Sequence, residues 1–485
     1  MREFDAARDS GPVVARLFLR LLAAIFCIAW TSLGWQIDVL IGRRGLLPAA
    51  PFFDAMRAQG VGFARLPSVF WFDASDAALH AGIAIGLAVS LAALFGLAPR
   101  VCLGISTLLY LSFANAAGSF LSFQWDNLLL ECGALAIFLP RERPAAWIHV
   151  LFRILLVKLY VESGIAKWDS SLGDWQDGSA MTWYYETAPL PVWLGWYAHH
   201  LPAWWHHLES RAVLVIELLL PWLAFAPRRA RLALCVVLSG FQLLNLATAN
   251  YGFFVYLALA LHVFLLTDAD VERALGWVRR THRPAHSGRP RQQTWLRLGG
   301  AATVAALYIG LSLTDAAAAF APLSAGTATA IAALQRLYEP WRLVNTYHLF
   351  GSITRERIEP EFQVEVDGTW QALQLQHKPG DPLRAPDLIA PHQPRVDFQL
   401  WFYGLSFQGG APPYVAALLE RLCHDPTAVQ TLFRQPLPVA PGAVRIAFWR
   451  YRFSDAATRQ ASGAWWTRTP VAESRPIPCG AAAAG

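Results

Sequence analysis

The chain has 485 residues, 55% of them hydrophobic, 13% aromatic and 15% charged, and its 40 basic residues outnumber 34 acidic ones for a net charge of +6. Soluble proteins carry about 25% charged residues. The deficit falls mainly before residue 320, which excludes a large soluble enzyme for that part, while the apolar content excludes disorder. So small a basic excess does not point to nucleic acid, because membrane proteins gather basic loops for topological reasons.

A bilayer core asks for roughly 20 apolar residues in a helix. Candidates run over 17–35, 77–97, 101–121, 146–166, 211–226, 232–249, 251–267 and 295–314, with a shorter one at 127–140. The expected fold is therefore a polytopic α-helical membrane protein of about nine transmembrane helices over 1–320, followed by an extramembrane domain over 321–485. A cytoplasmic N-terminus puts Arg2, Arg8, Arg16 and Arg20, Arg100, Arg141 and Arg143, Arg228, Arg229 and Arg231 on the cytoplasmic side, with Arg273, Arg279, Arg280, Arg283, Arg289 and Arg291. The opposite turns are poor in basic residues, apart from Arg43, Arg44, Arg57 and Arg65 in the first. This bias fits the positive-inside rule and predicts that the C-terminal domain faces the exported side. The first apolar stretch is too long for a cleaved signal peptide and has no clear cleavage site.

Residues 167–210 hold Trp168, Trp175, Trp183, Trp193, Trp196, Trp204 and Trp205. Tryptophan favours the headgroup level, so this loop is expected to lie along the outer membrane surface, or else to cap the bundle. Beyond 321, charges and prolines return. EFQVEVDGTWQALQLQ alternates and turns at Asp367-Gly368, a hairpin signal. RVDFQLWFYGLSF and AVRIAFWRYRF also read as strands, and PYVAALLERLCHD and PTAVQTLFRQ as short helices, giving a mostly β domain with a short helical insert. Cys423 and Cys479 lie in this domain and can pair only in an oxidising compartment. Cys27, Cys102, Cys132 and Cys235 read as small hydrophobes in apolar stretches.

Glu131, Arg153, Lys158, Glu162 and Glu217 fall within or beside predicted membrane helices, where ionisable groups face the bundle interior and pair. Lys158 and Glu162 are four apart and share a helix face; Glu131 and Glu217 are candidates to neutralise Arg153. Lysine occurs only at 158, 167 and 378. Lysine loses its proton on burial far more readily than arginine, so Lys158 and Lys167 admit either a structural network or base chemistry. His199, His200, His206 and His207 cluster without a tight ligand spacing, so no metal is expected. Neither a catalytic motif nor a cofactor-binding motif appears. Gly82 and Gly86 are spaced for close helix approach.

Three segments mix aromatic and polar residues: SFQWDNLLLE (122–131), YEPWRLVNTYHLFGSITRERIE (338–359) and APHQPRVDFQLWF (390–402, a proline-rich turn). On the residues alone, Trp341, Phe350, Phe398 and Trp401 are either core of the C-terminal domain or binding anchors, and Arg342, Arg395 and Asp397 are either structural ion pairs or contacts. In order, and with KLYVESGIAKWDSSLGDWQDGSAMTWYYETAPLP between them, these segments resemble the lipase maturation factor family over about 120–450. By position, Gln124, Trp125, Asp126 and Glu131 match its membrane motif. Tyr338, Glu339, Pro340, Trp341, Arg342, Asn345, Phe350 and Gly351 match the first motif of its C-terminal domain. Pro391, His392, Gln393, Pro394, Arg395, Asp397 and Trp401 match the second. His348 stands where the family is expected to have glycine.

The resemblance implies a multi-pass membrane protein, not an enzyme and without a cofactor, that assists folding and assembly of secreted lipases. In animals it does so from the endoplasmic reticulum, through a lumenal C-terminal domain that contacts the client. The alanine- and arginine-rich composition points to a bacterial gene, hence to the inner membrane with a periplasmic domain and exported clients, lipases or others. A second reading is a membrane-embedded enzyme with a buried lysine base. Its motive is that the Lys158–Lys167 helix and WQDG segment loosely resemble vitamin K-dependent carboxylase-like proteins.

Overall fold

The computed structural model describes residues 11–140, 146–274, 276 and 295–480. Arg2, Arg8, Arg141, Arg143 and the basic run from Arg279 to Arg291 lie outside the described residues. Each of the nine apolar stretches holds a helix: α1 (Pro12–Gly34), α2 (Asp76–Leu94), α3 (Pro99–Ala116), α4 (Gln124–Ala136), α5 (Ala146–Trp168), α6 (Ala203–Leu218), α7 (Arg228–Thr248), α8 (Phe254–His262) and α9 (Trp295–Phe320). Length and composition separate them. Among the described residues, four are long and apolar enough to cross a membrane unaided: α1, α2, α7 and Gly299–Phe320 within α9. α5 has the length but carries Arg153, Lys158, Glu162 and Lys167, and α4, α6 and α8 are short. Those helices are held by packing and internal pairing rather than by lipid solvation alone.

The apolar core centres on α1, whose Phe18 packs on Phe152 of α5 at 4.6 Å and on Phe264 at 4.7 Å. Its free N-terminal amides are capped from far along the chain, since Asp268 accepts from the backbone N–H of Gly11, Val13 and Val14 at 3.0–3.1 Å. That satisfies donors a helix start leaves orphaned. Gly82 and Gly86 do serve close approach. A Cβ on Gly86 would lie 2.3 Å from the Trp30 ring and one on Gly82 3.0 Å from Phe113. Two of the arginines assigned to a cytoplasmic turn also tie the bundle: Arg228 pairs with Asp270, and Arg231 Nε donates to the Leu265 carbonyl at 3.3 Å.

α10 (Ala325–Tyr338) leads to the C-terminal domain. Its sheet is antiparallel, order β2-β1-β3-β4, with β1 Arg357–Val366, β2 Thr369–Leu373, β3 Ala443–Phe453 and β4 Trp466–Glu473; β5, Ile477–Pro478, also pairs with β3. Val366 faces Thr369 across Asp367-Gly368, and φ is positive at both turn residues (+50° and +75°), as the tight hairpin predicted from this dipeptide requires. Between β2 and β3 lie α11 (Arg395–Leu405) and α12 (Pro413–His424).

The predicted strand over RVDFQLWFYGLSF is helix α11, so the domain combines a sheet with helices rather than being mostly β. The signals were present but outweighed by aromatic content. Pro394 precedes the first turn, Asp397 sits within it, and Val396, Leu400 and Tyr403 recur at helical spacing on the buried face. α11 lies directly on β1, where a Cβ on Gly404 would meet the Ile358 carbonyl oxygen at 2.0 Å. Cys423 on α12 and Cys479 after β5 are joined in a disulfide.

Candidate functional site

The three aromatic-polar segments converge on one junction between the helical bundle and the C-terminal domain. α4 begins after Phe123 and puts Asp126 in its first turn. The Arg395 guanidinium, at the start of α11, meets that carboxylate in a fork: Nη1 to Oδ2 at 2.6 Å and Nη2 to Oδ1 at 2.8 Å. Tyr110 donates to Asp126 at 2.6 Å and accepts from Arg395 at 3.2 Å, and Arg395 also donates to the Phe120 carbonyl at 3.1 Å. Both charged groups are buried. Desolvating two charges is costly, and only multiple good hydrogen bonds offset it.

One turn further along α4, Glu131 accepts from four side chains on three other elements: Lys158 Nζ (3.0 Å), Tyr308 Oη (2.7 Å), Tyr347 Oη (2.8 Å) and Asn345 Nδ2 (3.1 Å). The carboxylate is fully enclosed, and its lone pairs are occupied. Glu162 accepts from the backbone N–H of Tyr347 at 2.8 Å. Lys158 and Glu162 therefore share a face without sharing a bond. The expected neutralisation of Arg153 by Glu131 or Glu217 does not occur. Glu131 takes Lys158, and Glu217 takes Lys167 at 2.7 Å. Arg153 Nε instead donates to the Phe264 carbonyl at 2.9 Å.

The 338–359 segment threads along this surface. Arg342, at φ +49°, donates to the carbonyls of Leu121 (2.7 Å) and Ala114 (3.2 Å). Gln124 Oε1 accepts from the backbone N–H of His348 at 2.9 Å, so the expected glycine position is used through its amide. Pro340's carbonyl accepts from Asn115, Tyr338 donates to Asp315, and Trp341 packs edge-on against Phe63. Lys167 donates to the Leu349 carbonyl at 2.7 Å. Phe350 packs on Tyr251, and Gly351 passes 3.2 Å from the Ala166 carbonyl when given a Cβ. Glu339 is exposed.

The 390–402 segment closes the far side. His392 Nδ1 and the Gln393 amide both meet Ser32 Oγ, at 2.9 and 3.0 Å. Gln36 Nε2 donates to the Gln393 carbonyl, and Gln36 Oε1 accepts from the Arg395 amide. Burial pushes the His392 imidazole down to about 4, so the ring there is neutral near pH 7. Pro391 and Pro394 shape the turn, and the Ala390–Pro391 peptide is cis. Trp125 packs against Phe398 at 5.0 Å, and Trp401 Nε1 donates to the Thr187 carbonyl at 2.8 Å. Asp397 accepts from the His377 amide at 3.1 Å, and burial raises its carboxyl. Of the residues read as core of the C-terminal domain, Trp341 and Phe350 thus pack on the bundle, and Arg395 pairs across to it.

The Trp-rich loop is a cap built of short helices. Trp175 and Trp196 are buried, and their indole N–H groups donate to the carbonyls of Phe350 (3.2 Å) and Ser454 (2.9 Å) in the C-terminal segment. Trp168, Trp193 and Trp204 remain exposed, as an interfacial anchor would have them. Among the described residues, no group of three or more metal-ligating side chains assembles. His206 instead meets Glu209 at 3.2 Å, and His200 meets the Trp196 carbonyl at 2.7 Å.

Sequence reasoning missed Tyr110, Tyr308, Tyr347, Ser32 and Gln36, whose hydroxyl or amide groups complete these pairs. It also missed Lys378, which is buried with Glu359 (2.8 Å) and Arg357 in the C-terminal domain. Burial pushes the Lys378 ammonium down to about 8. A signal existed: all three lysines of this arginine-rich chain are buried, and each pairs with a glutamate.

Two family descriptions match this arrangement: the lipase maturation factor transmembrane domain over residues 13–273 and the lipase maturation factor C-terminal domain over 343–476. The chain belongs to the lipase maturation factor family. It is 29% identical to lipase maturation factor 1 of Bos taurus over 500 residues, covering 93% of this chain and 86% of that protein. Against lipase maturation factor 2 of Homo sapiens it is 30% identical over 590 residues, covering 94% and 81%. No solved structure matches. This family member is a multi-pass integral membrane protein, and several of the motif residues, Asp126, Glu131, Asn345 and Arg395 among them, bond across between its two matched regions.

Proposed function

We propose that this lipase maturation factor homologue is a membrane-anchored assembly factor for exported clients, lipases among them, and that it works without a catalytic step. The observation that carries this reading is the junction. Asp126–Arg395, the Glu131 cluster and the Arg342 carbonyl contacts fix the C-terminal domain rigidly on the bundle. A folding factor needs such a platform, and the motif side chains spent on it leave client contact to the exposed faces of the same domain. The exported-side location is supported by the basic-residue bias and by the Cys423–Cys479 disulfide, since disulfides persist in oxidising compartments. In a bacterium that is the periplasm, with nine spans of which α4, α6 and α8 are short; in a eukaryote it is the endoplasmic reticulum lumen. Nucleic acid has no part in this reading.

Deleting the gene is expected to lower secreted lipase or other exported activity while client transcript is unchanged, and the purified full chain is expected to capture that client. Unchanged secretion together with no captured exported protein overturns the proposal. A periplasmic reporter fused at the C-terminus is expected to be active; activity of a cytosolic reporter there rejects the orientation.

One observation favours the enzyme alternative: Lys167, with Glu217, lines a cavity. Lys158→Arg and Lys167→Arg keep charge and remove a usable base. Full maturation activity in both variants excludes base chemistry, whereas loss in Lys167→Arg with intact folding supports it.

A further inference from the structure

The cavity beside Lys167 lies where α5, α6, α7 and α8 meet the cap, and it encloses about 60 Å³. By the usual allowance of roughly 10–15 Å³ per water, it takes about four to six waters or one small polar head group. Its walls are mainly aromatic and aliphatic, including Trp175, Val213, Phe241 and Phe254.

Most of its polar groups are paired, and Gln242 is an informative exception. Lys167 is matched by Glu217 at 2.7 Å and also donates to the Leu349 carbonyl. The hydroxyls of Tyr184 and Tyr251 bond to each other. Gln242 Nε2 donates to Tyr160 Oη at 2.9 Å, and that hydroxyl in turn meets His262 Nε2 at 2.9 Å. The Gln242 amide nitrogen is the group that faces the Tyr160 hydroxyl. Gln242 Oε1 is then left as a buried acceptor with no partner among the described residues. An orphaned buried carbonyl is costly unless something donates to it.

Phe241 and Asn245, on the cavity side of α7, are only half-buried, and the neighbouring Leu243 and Leu244 are exposed on this lightly covered, apolar helix. The wall of the cavity formed by α7 is therefore thin, and it backs onto a helix whose composition suits contact with lipid. We propose that it binds the head group of a neutral, hydroxyl-bearing lipid of the monoacylglycerol kind, a hydroxyl donating to Gln242 Oε1 and the acyl chain leaving past Phe241 and Asn245 into the membrane. The compensated Lys167–Glu217 pair offers no unmatched positive charge to a phosphate or a carboxylate head. A chain without a donor leaves the Gln242 carbonyl unpaired. Site and ligand are independent of the client reading above.

The test uses the full chain in phosphatidylcholine nanodiscs, whose lipid has no hydroxyl in its head group, and a 1-monoacylglycerol carrying a photoreactive diazirine. Labelling is expected to saturate and to map to the peptides containing 159–167 and 241–254. Unlabelled monoolein should compete, and methyl oleate and oleate should not. Gln242→Met should weaken labelling tenfold or more, and Asn245→Trp, which blocks that exit without touching the ion pair, should abolish it. Labelling spread along the lipid-facing side of α7, equal competition by methyl oleate, or wild-type labelling of Asn245→Trp each overturns the proposal. Should Gln242→Met not fold, Asn245→Trp and the competitor series decide it.

Discussion

Glu131 in the bundle and Glu359 in the C-terminal domain are both buried carboxylates paired with a buried lysine, yet they hold different things together. Glu131 gathers partners from α5, α9 and the 345–347 segment, so its bonds cross between the regions. Glu359 pairs with Arg357, two residues away on the same strand, and with Lys378, nearby in the same domain. The same chemistry thus acts as a joint in one place and as an internal tie in the other. The difference lies in how far along the chain the donors come from. A joint of this kind couples docking to the integrity of single side chains; the Glu359–Lys378 pair is internal to its domain, although Arg357 beside it also donates to the Glu186, Ala188 and Pro189 carbonyls of the cap.

Breaking the joint should have the largest effect. Arg395→Ala leaves Asp126 buried and uncompensated, a class of change that costs about 3–5 kcal/mol. It is expected to free the C-terminal domain, read as rapid proteolysis between 321 and 357 in the full chain. Arg395→Met with Asp126→Leu should restore much of the lost resistance, because the charge is then removed from both sides. A double variant as labile as the single one would show that specificity of the fork, not charge balance, holds the domains.

Next comes the disulfide. Cys423→Ser opens a crosslink spanning 56 residues, for which chain-entropy arguments give about 4 kcal/mol. The denaturant midpoint of the C-terminal domain should fall while the bundle's transition stays in place. Tyr347→Phe should cost less, about 1.5–3 kcal/mol, for one hydrogen bond to a charged acceptor. It is expected to loosen docking without unfolding either region, visible as faster amide exchange over 342–353.

The internal tie can be probed by pH. Burial holds Lys378 near 8 in the folded chain against an ordinary value of 10.5. Between those values the unfolded chain binds more protons at this site, so the stability contributed there rises as pH goes from about 8 to 10.5 and is flat below. Lys378→Met should abolish that rise in urea midpoints of the C-terminal domain, and an unchanged slope rejects the assignment. Smallest of all, the exposed Arg450–Glu356 pair should be worth less than about 1 kcal/mol, and Arg450→Ala should leave both transitions in place.

Local pattern alone determined roughly where the bundle's helices lie, where Asp367-Gly368 turns the chain and which family the motifs belong to, and it left the Trp-rich loop open between a surface segment and a cap. Hydrophobic periodicity and turn chemistry act over a few residues, so they survive in one dimension. Tertiary structure decided between the strand and helix readings that RVDFQLWFYGLSF allows. Its aromatic residues suit either element, and packing of Gly404 on β1 selects one. It alone also assigned partners to the buried charges. Lys158 and Glu162 are neighbours on α5, yet each bonds to groups far away in sequence, because a buried ion is satisfied by whatever donor the fold brings within 3 Å. Spacing along a helix shows which side chains share a face; only the packed chain shows what they face.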